Sequence, residues 1–418
     1  MTSCSGQTHK NDPGLPPLPS QPLTNSSKSL RIHSIQTNRK PTEITKFRIT
    51  NGYEANQSRY ESRSRPAIQA ESQPQRTTPL RSLSNHKQPV RGIYVSGWVA
   101  GSENRLNHLI QLVDKTDLNA MVIDVKNDYG QLTYRSSLKA VKAIGADRHV
   151  AIRDIGSLIR KLKAKHIYVI GRIVTFKDPL YAKQYPSMAL QRKSGGVWRD
   201  AQGKAWLDPF QQQVRTYNTA IAAEAASNGF DEIQFDYVRF PDNGGRVDRE
   251  VRYSDTHGKN KSQVIAAFLG DARRQIHGRG ARVSADVFGL VTSSTNDMGI
   301  GQSWRSISSA VDVISPMTYP SHYSTGMYGV RQPDLSPYAI IHHAMTDAMH
   351  RNAVMKSSGT TTAAVRPWLQ SFTAKWVHPH QTYGAEQVNK QVQAARELGV
   401  REFLLWSSNC KYDYRSSF

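Results

Sequence analysis

The sequence has little cysteine, no long apolar run and comparatively few acidic residues. Only two cysteines occur among its 418 residues, Cys4 and Cys410, so a framework of disulfides is excluded. No stretch approaches the roughly 18 consecutive apolar residues of a membrane-spanning helix, which excludes such a helix. Against 55 Lys and Arg stand 33 Asp and Glu, giving a net charge of +22. This imbalance favours acidic partners: nucleic acid, an anionic polysaccharide or an envelope surface.

Several catalytic signatures are also missing. The sequence contains neither a phosphate-binding loop of the Walker type nor a GxSxG nucleophile motif. Gly299-Ile300-Gly301 lacks the further glycine of a dinucleotide site. The histidine pairs His342-His343 and His378-Pro379-His380 do not have the spacing that puts two imidazoles on one helical face with a third ligand. We therefore expect no cofactor and no metal.

Residues 1–88 differ in composition from the rest of the chain. They are rich in Ser, Thr, Gln, Asn, Pro and Arg and carry roughly eight of the excess positive charges. Such a segment buries too little apolar surface to offset its ordering entropy, so we predict a disordered basic tail. The tail is suited to an anionic envelope surface, and no nucleic-acid motif accompanies the charge. The first residues also lack the apolar core of a signal peptide.

Residues 89–418 are predicted to form one folded domain in which strands and helices alternate. Three- and four-residue spacing of apolar positions predicts five helices, at 105–113, 152–163, 214–226, 262–276 and 385–398. Eight apolar segments predict strands: Gly92–Trp98, Ala120–Val125, His166–Val174, Asp231–Tyr237, Arg282–Phe288, Asp312–Thr318, Val365–Gln370 and Glu402–Trp406. This alternation predicts an α/β fold, a (β/α)8 TIM barrel, rather than a doubly wound open sheet, which needs a glycine-rich phosphate turn after its first strand. Two insertions, at roughly 176–209 and 320–363, follow the third and sixth strands.

Acidic residues recur at the ends of the predicted strands. Asp124 lies in VIDVKND, Asp236 in GFDEIQFDYVRFP and Asp286 in SADVFG. Barrel enzymes gather their catalytic residues from the carboxyl ends of several strands, so we expect these side chains to meet at one mouth. Two carboxyl groups, one protonated and one ionised, are what cleavage of a glycosidic bond requires. We predict Asp236 as the nucleophile or ion-stabilising carboxylate and Asp286 as the general acid/base.

Other residues near strand ends are candidates for substrate binding. The residues that we expect to position sugar hydroxyls or to tune the carboxyl pair are Asp124, Lys126, Arg239 and Tyr319. Trp206 and Trp406 lie beside strand-end motifs, and the apolar faces of aromatic rings stack on sugar rings.

From about Val90 to Asn409 the chain resembles a bacterial family of glycoside-hydrolase-like proteins with a TIM-barrel domain, long catalogued as a domain of unknown function. The segments that carry the resemblance are RGIYVSGWVAG, NAMVIDVKNDYG, WRDAQGKAWLDPFQQQVRTY, GFDEIQFDYVRFP, SADVFG and ISPMTYPSHY. The resemblance implies a glycosidase acting on polysaccharide or oligosaccharide, Asp236 as a key carboxylate, and a location in the cell envelope or outside the cell.

One departure from a related pattern limits the mechanism. The segment is distantly similar to the chitinase strand motif DxxDxDxE, with Asp231, Gln234 and Asp236 at its Asp positions. Val238 replaces the catalytic Glu, which argues against a substrate-assisted mechanism and leaves Asp286 as the acid.

Two other functions fit the same sequence. A barrel that binds carbohydrate or cell wall without turnover would look similar, because fold alone does not fix function. A nucleic-acid-binding protein would use the basic tail and would show steeply salt-dependent binding. Replacing Asp236 by Asn distinguishes an enzyme from a binder, and removing residues 1–88 tests the third function.

Overall fold

A computed structural model describes residues 88–416, so the predicted tail lies outside the described residues apart from Gln88. Eight parallel strands form a closed barrel, which confirms the predicted fold class. The strands, numbered here around the barrel, are β1 Arg91–Val95, β2 Ala120–Lys126, β3 Tyr168–Val174, β4 Glu232–Asp236, β5 Arg282–Phe288, β6 Val313–Met317, β7 in two pieces (Ala364–Val365 and Trp368–Gln370) and β8 Phe403–Trp406.

Each strand pairs with the next along the chain, and β8 pairs with β1 to close the barrel. The two pieces of β7 contact opposite ends of β6, through Ala364 beside Val313 and Trp368 beside Met317. Between the pieces stands Pro367, which has no amide hydrogen to donate to a ladder. The strands read as near-continuous apolar runs because both of their faces are covered, and every residue of β2 is buried.

Seven helices connect the strands in the described part of the chain. They are α1 Glu103–Asp114, α2 Ile155–Ala164, α3 Gln212–Ser227, α4 Lys261–His277, α5 Trp304–Ser308, α6 Pro337–Ser357 and α7 Ala385–Glu397. Four further α-helices in the described residues span Gly97–Ala100, Lys139–Ile144, Pro179–Gln184 and Gly244–Glu250. Short 3-10 turns span Pro186–Met188, Gly289–Thr292, Pro320–His322, Met327–Gly329 and Pro333–Leu335. The five predicted helices correspond to α1, α2, α3, α4 and α7.

Helix α6 lies inside the segment that the sequence indicated only as an insertion after the sixth strand. Its buried side recurs at helical spacing, with Ile340, Ile341, Ala344, Met345 and Ala348 facing the barrel. Met349 and Val354 remain exposed on its outer side, which blurs the contrast between an apolar and a polar face. No helix in the described residues is both long and apolar enough to span a bilayer.

After β8 the chain runs to residue 416 without a further described helix. Its side chains instead bind back to the start of the barrel. The Tyr412 hydroxyl donates to the Tyr94 carbonyl oxygen at 2.6 Å, and the Tyr414 hydroxyl donates to Asp117 at 2.6 Å. These contacts tie the end of the described chain to β1 and to the loop before β2.

Polar side chains fill the end of the barrel at which the strands begin. Arg366, between the two pieces of β7, lies 2.8 Å from Glu232 and 2.9 Å from Glu402. The Tyr168 hydroxyl donates to the other oxygen of Glu232 at 3.1 Å. Glu232 therefore anchors the lower end of the barrel, while Asp236, four residues further on the same face of β4, lies at the mouth.

The insertion after β3 folds over the flank and rim of the barrel. Its helix Pro179–Gln184 places Tyr181 against Tyr217 of α3, with ring centroids 4.5 Å apart. Gln191–Arg192 pairs antiparallel with Val251–Arg252 from the segment after β4. The loops after β3 and β4 are thereby tied together beside the mouth.

Candidate active site

Three aspartates from three strands meet at the carboxyl end of the barrel. Asp124 lies on β2, Asp236 ends β4 and Asp286 lies on β5. Phe235 pairs with Ala285, so the residues that follow them, Asp236 and Asp286, stand at the same level of neighbouring strands. Neighbouring strands are about 4.8 Å apart, which puts the two carboxyl groups within reach of one substrate bond.

Arg172 on β3 joins two of these carboxylates. Its guanidinium donates from Nε and Nη2 to one oxygen of Asp236, at 2.9 and 2.6 Å, and from Nη1 to Asp124 at 2.7 Å. Asp128, in the loop after β2, lies 3.8 Å from Nη2. Burial opposes the charge of the guanidinium, but the carboxylates of Asp236 and Asp124 outweigh it and raise the pKa of Arg172. The arginine is therefore a fixed cation at the centre of the cluster.

Asp236 is held by donors on both of its oxygens. Arg172 supplies two N–H groups to Oδ2, and the backbone N–H of Tyr237 donates to Oδ1 at 2.7 Å. Tyr237 has a positive φ of 47°, an uncommon conformation for a residue other than glycine. These three N–H donors fix the orientation of the Asp236 carboxyl group at the mouth.

Asp286 has a different environment. Among the described residues, its side chain accepts a hydrogen bond from the indole N–H of Trp368, whose nitrogen lies 2.8 Å from Oδ1. Burial raises the pKa of Asp286 well above its usual range, and the neighbouring charge of Asp236 raises it further. Between the usual pKa of an aspartate and this raised pKa, the side chain of Asp286 therefore carries a proton.

Asp124 completes the cluster on the side of β1. The Tyr94 hydroxyl donates to one of its oxygens at 2.6 Å, and Arg172 donates to the other. Burial raises the pKa of Asp124, although the charge of Arg172 opposes the shift.

Aromatic rings form the wall on the side of β8 and β1. Tyr94 stacks on Trp406 with ring centroids 4.3 Å apart, and Trp368 meets Trp406 edge to face at 5.5 Å. The guanidinium of Arg172 lies over Trp406 at 5.4 Å from the ring centroid. Trp406, which the sequence indicated for substrate binding, thus contacts the central arginine directly.

Tyr319 lies after β6, two strands away from β8 around the barrel. It is buried and meets the ring of Phe372, from the loop after β7, edge to face at 5.6 Å. Burial and the charge of Asp286 raise the pKa of its hydroxyl. Tyr319 therefore stays neutral beside the aspartates.

Arg239 and Trp206 form a second group beside the cluster. The guanidinium of Arg239 lies 5.1 Å from the ring centroids of Trp206 and Tyr237 and 4.3 Å from that of Phe288. It also pairs with Asp242 at 2.7 Å. Trp206 is fixed by its indole N–H, which donates to Asp200 at 2.9 Å. Tyr237, which directly follows Asp236, connects this group to the aspartates.

Lys126 occupies another buried cluster. Its ammonium donates to Asp178 at 2.9 Å and to Asn218 of α3 at 2.8 Å. The pairing between β2 and β3 shifts between Asp124 and Lys126, and this irregularity turns the lysine toward the helix layer. The structure thus brings together seven of the eight residues indicated by the sequence and assigns Lys126 contacts that tie β2 to α3.

Three residues of the site were not indicated as site residues by the sequence: Arg172, Tyr94 and Trp368. Arg172 carries a visible signal, because a charge in the otherwise apolar segment YVIGRIV must find a buried partner. Tyr94 and Trp368 resemble ordinary core residues, and only the closure of the barrel brings them to the carboxylates.

In the described residues, no three side chains among His, Cys, Asp and Glu are grouped so that they could hold a metal ion. His378 and His380 contact each other, with ring centroids 5.6 Å apart, and His342 stacks on Tyr338. In the site itself the guanidinium of Arg172 lies between the carboxylates.

Solved structures share this fold. The glycoside hydrolase domain of PgaB (BpsB) from Bordetella bronchiseptica is 15% identical, over 77% of this chain and 95% of that one, with a TM-score of 0.54. The β-galactosidase from the psychrophilic Marinomonas ef1 is 12% identical, over 76% of this chain and 54% of that one, with a TM-score of 0.51. At these identities the likeness is one of fold.

A hypothetical protein from Ruminiclostridium thermocellum ATCC 27405 is 37% identical, over 50% of this chain and 98% of that one, with a TM-score of 0.43. No curated protein matches the chain. A family described as "Putative glycosyl hydrolase domain" matches residues 92–412, which span the barrel from β1 to beyond β8. The chain belongs to this family of glycosyl hydrolase domains.

Proposed function

We propose that the domain hydrolyses a glycosidic bond of a polysaccharide or oligosaccharide, with Asp236 and Asp286 as the two catalytic carboxyl groups. The observation that carries the proposal is the contrast between two neighbouring buried aspartates. Asp236 accepts hydrogen bonds from a guanidinium and an amide, whereas Asp286 accepts one from a neutral indole. Two carboxyl groups with opposite protonation states are what glycoside hydrolysis needs.

In the proposed reaction Asp286 donates its proton to the glycosidic oxygen as the bond from that oxygen to the anomeric carbon breaks. The ionised Asp236 stabilises or attacks the anomeric carbon, which carries the developing positive charge. A water molecule then supplies the hydroxyl of the new reducing end, and its other proton restores the acid. Arg172, whose charge is fixed, orients the carboxylate of Asp236 for this role.

The remaining residues of the site support a sugar substrate. Trp406 and Tyr94 offer flat apolar rings beside the carboxylates, and such surfaces suit the apolar faces of sugar rings. Asp124, Arg239 and Tyr319 carry groups suited to hydroxyls, and we assign them to substrate binding together with Trp206. Lys126 is left out of this assignment because Asp178 and Asn218 take its donors.

A polysaccharide panel tests the proposal. The purified protein is incubated with xylan, cellulose, chitosan, chitin, β-1,4-galactan and starch, and new reducing ends are measured. We expect release from at least one polymer and a loss of at least about a hundredfold for Asp236→Asn, the scale on which catalytic groups act. Asp255→Asn makes the same chemical change at an exposed carboxylate after β4 and should retain full activity.

Two outcomes would contradict the proposal. Hydrolysis that survives in Asp236→Asn would remove the carboxylate from its assigned role. Binding of a polymer without any release of reducing ends by the parent protein would favour the non-catalytic carbohydrate-binding barrel.

A further inference from the structure

Exposed aromatic side chains are concentrated on one part of the rim of the barrel. Among the described residues, four large aromatic side chains remain exposed: Trp98, Tyr129, Tyr185 and Trp376. Trp98 follows β1, Tyr129 follows β2 and Trp376 follows β7. We call these three the rim aromatics. Because β7, β8, β1 and β2 are consecutive around the barrel, the rim aromatics occupy one continuous arc of the mouth.

Exposure of these rings has an energetic cost. Trp98 is 63% exposed, Trp376 45% and Tyr129 39%. A tryptophan left in water forgoes much of the stabilisation that burial of its apolar surface would give. Single exposed apolar residues are ordinary, but an arc of aromatic rings at the mouth of a barrel is a typical feature of a binding surface.

A chain of ring contacts leads from the carboxylates to the arc. Tyr319 meets Phe372 edge to face, and Phe372 stacks on Trp376 with centroids 6.1 Å apart and an interplanar angle of 16°. On the side of β2, Tyr129 adjoins Asp128, which reaches Arg172. The ring of Tyr129 is braced by the ammonium of Lys204 at 4.2 Å. The rings of Trp376 and Tyr129 are thus held in place and continuous with the site.

The position of the arc relative to the carboxylates indicates how a substrate lies. In an eight-stranded barrel, β8 faces β4 and β1 faces β5. Asp236 on β4 and Asp286 on β5 therefore face the middle of the arc, and Trp376 and Tyr129 lie one strand beyond on either side. Three steps of about 4.8 Å between strands make the arc roughly 14 Å long at the level of the strands. This is more than one sugar ring covers.

We propose that the rim aromatics bind an extended glycan chain across the mouth, so that sugars on both sides of the cleaved bond are held and cleavage falls within the chain. This inference rests on the proposed function, and it adds the substrate class, a long glycan rather than a disaccharide. The sugars are held by stacking of their apolar faces on Trp376, Trp98 and Tyr129.

Oligosaccharide binding to Asp236→Asn tests the inference. The probes are disaccharides and hexasaccharides of β-1,4-linked glucose, N-acetylglucosamine, xylose and galactose and of α-1,4-linked glucose, with affinity measured by calorimetry. We expect at least one hexasaccharide to bind ten times or more as tightly as its disaccharide. Trp376→Ala or Trp98→Ala, added to Asp236→Asn, should lower this ratio of affinities about tenfold each.

Tyr185→Ala is the matched control. Tyr185 is as exposed as Tyr129, at 39%, but its ring contacts Tyr181, which packs against α3 on the flank of the barrel. This variant should leave the ratio unchanged. Equal affinity for disaccharide and hexasaccharide, or a ratio insensitive to Trp376→Ala and Trp98→Ala, would overturn the inference and leave the proposed function standing. Binding of none of the probes would count against both.

Discussion

At the scale of single residues, Asp236 and Asp286 have the same residue type, comparable burial and neighbouring positions, yet different partners. Two N–H groups of Arg172 and one backbone N–H reach Asp236, while a single indole N–H reaches Asp286. Since burial disfavours the charged form, the carboxyl group with the weaker donors keeps its proton. Their partners, rather than their residue type, therefore distinguish the proposed acid, Asp286, from the proposed nucleophile or ion-stabilising carboxylate, Asp236.

This division predicts the pH dependence of catalysis. In the proposed role of Asp286 as the acid, only its protonated form is active, and burial raises its pKa, so kcat should fall as the pH rises through that pKa. In Asp286→Asn we expect kcat to drop by about 10²–10⁴-fold and the fall at high pH to disappear. The loss should be smaller on a 4-nitrophenyl glycoside, whose leaving group departs without a proton. An unchanged pH profile in Asp286→Asn would remove this residue from the acid role.

The raised pKa of Asp286 also predicts that replacing this residue makes the fold more stable. A carboxyl group whose pKa is higher in the folded state stabilises the fold below its unfolded pKa, and this contribution is lost as the pH rises through the folded pKa. Asparagine keeps the oxygen that accepts from Trp368 but has no proton to lose. Thermal unfolding of Asp286→Asn should therefore occur at a higher temperature than in the parent, with a larger difference at pH 8 than at pH 4. If the difference in unfolding temperature were smaller at pH 8 than at pH 4, the raised pKa of Asp286 would be contradicted.

At the scale of elements, Arg172 holds three strands together at the mouth. It lies on β3 and pairs with Asp124 on β2 and Asp236 on β4. Removal of one member of a buried ionic group leaves the others without compensation, at a cost of about 3–5 kcal/mol.

Arg172→Met should therefore lower the free energy of unfolding in urea by about 3–5 kcal/mol. Arg172→Lys should recover part of the stability but not the activity, because an ammonium centred on one nitrogen cannot reproduce the planar fork of the guanidinium that reaches both Asp236 and Asp124. Arg274→Met, at an exposed position of α4, is the control and should change neither quantity. Full activity in Arg172→Lys would show that activity needs only a positive charge at this position and not the geometry of the guanidinium.

Arg366 has the corresponding role at the other end of the barrel. It pairs with Glu232 on β4 and with Glu402 just before β8, and its Nη2 has no hydrogen-bond partner among the described residues. Arg366→Met should cost about 3–5 kcal/mol of stability because Glu232 stays buried without its cation. Adding Glu232→Gln should restore part of the loss, while kcat of the folded fraction stays that of the parent in both variants. If the double variant lost as much stability as the two single variants together, this explanation would be contradicted.

The strands and helices also show which features of the fold can be predicted from the sequence. The eight strands were predictable because a buried parallel strand is a short apolar run between turn signals. Helix α6 was not, since Met349 and Val354 lie on its exposed side and weaken its pattern. The three aspartates were visible at strand ends, whereas Tyr94 and Trp368 gain their roles through contacts between strands far apart in the chain. The shift in pairing that turns Lys126 outward leaves no signal in the sequence.

At the scale of the whole molecule, the predicted boundary near residue 88 is open to a direct test. Residues 89–418 include all eight strands and seven helices of the barrel, so this part should fold alone with the unfolding temperature of the full chain. Residues 1–88 carry roughly eight of the excess positive charges, so the full chain should leave a heparin column at higher salt than residues 89–418. Identical elution would show that the barrel alone carries the affinity for anions.

Both ends of the described chain lie at the base of the barrel, which is the end at which its strands begin. Asn119 donates to the carbonyl oxygen of Pro89, and Asp117 accepts from Tyr414 and Ser416. Asp117 and Asn119 directly precede β2, on the side opposite the carboxyl ends where the aspartates lie. Chemical attachment of the domain at Gln88 would therefore fix it by its base and leave the mouth accessible.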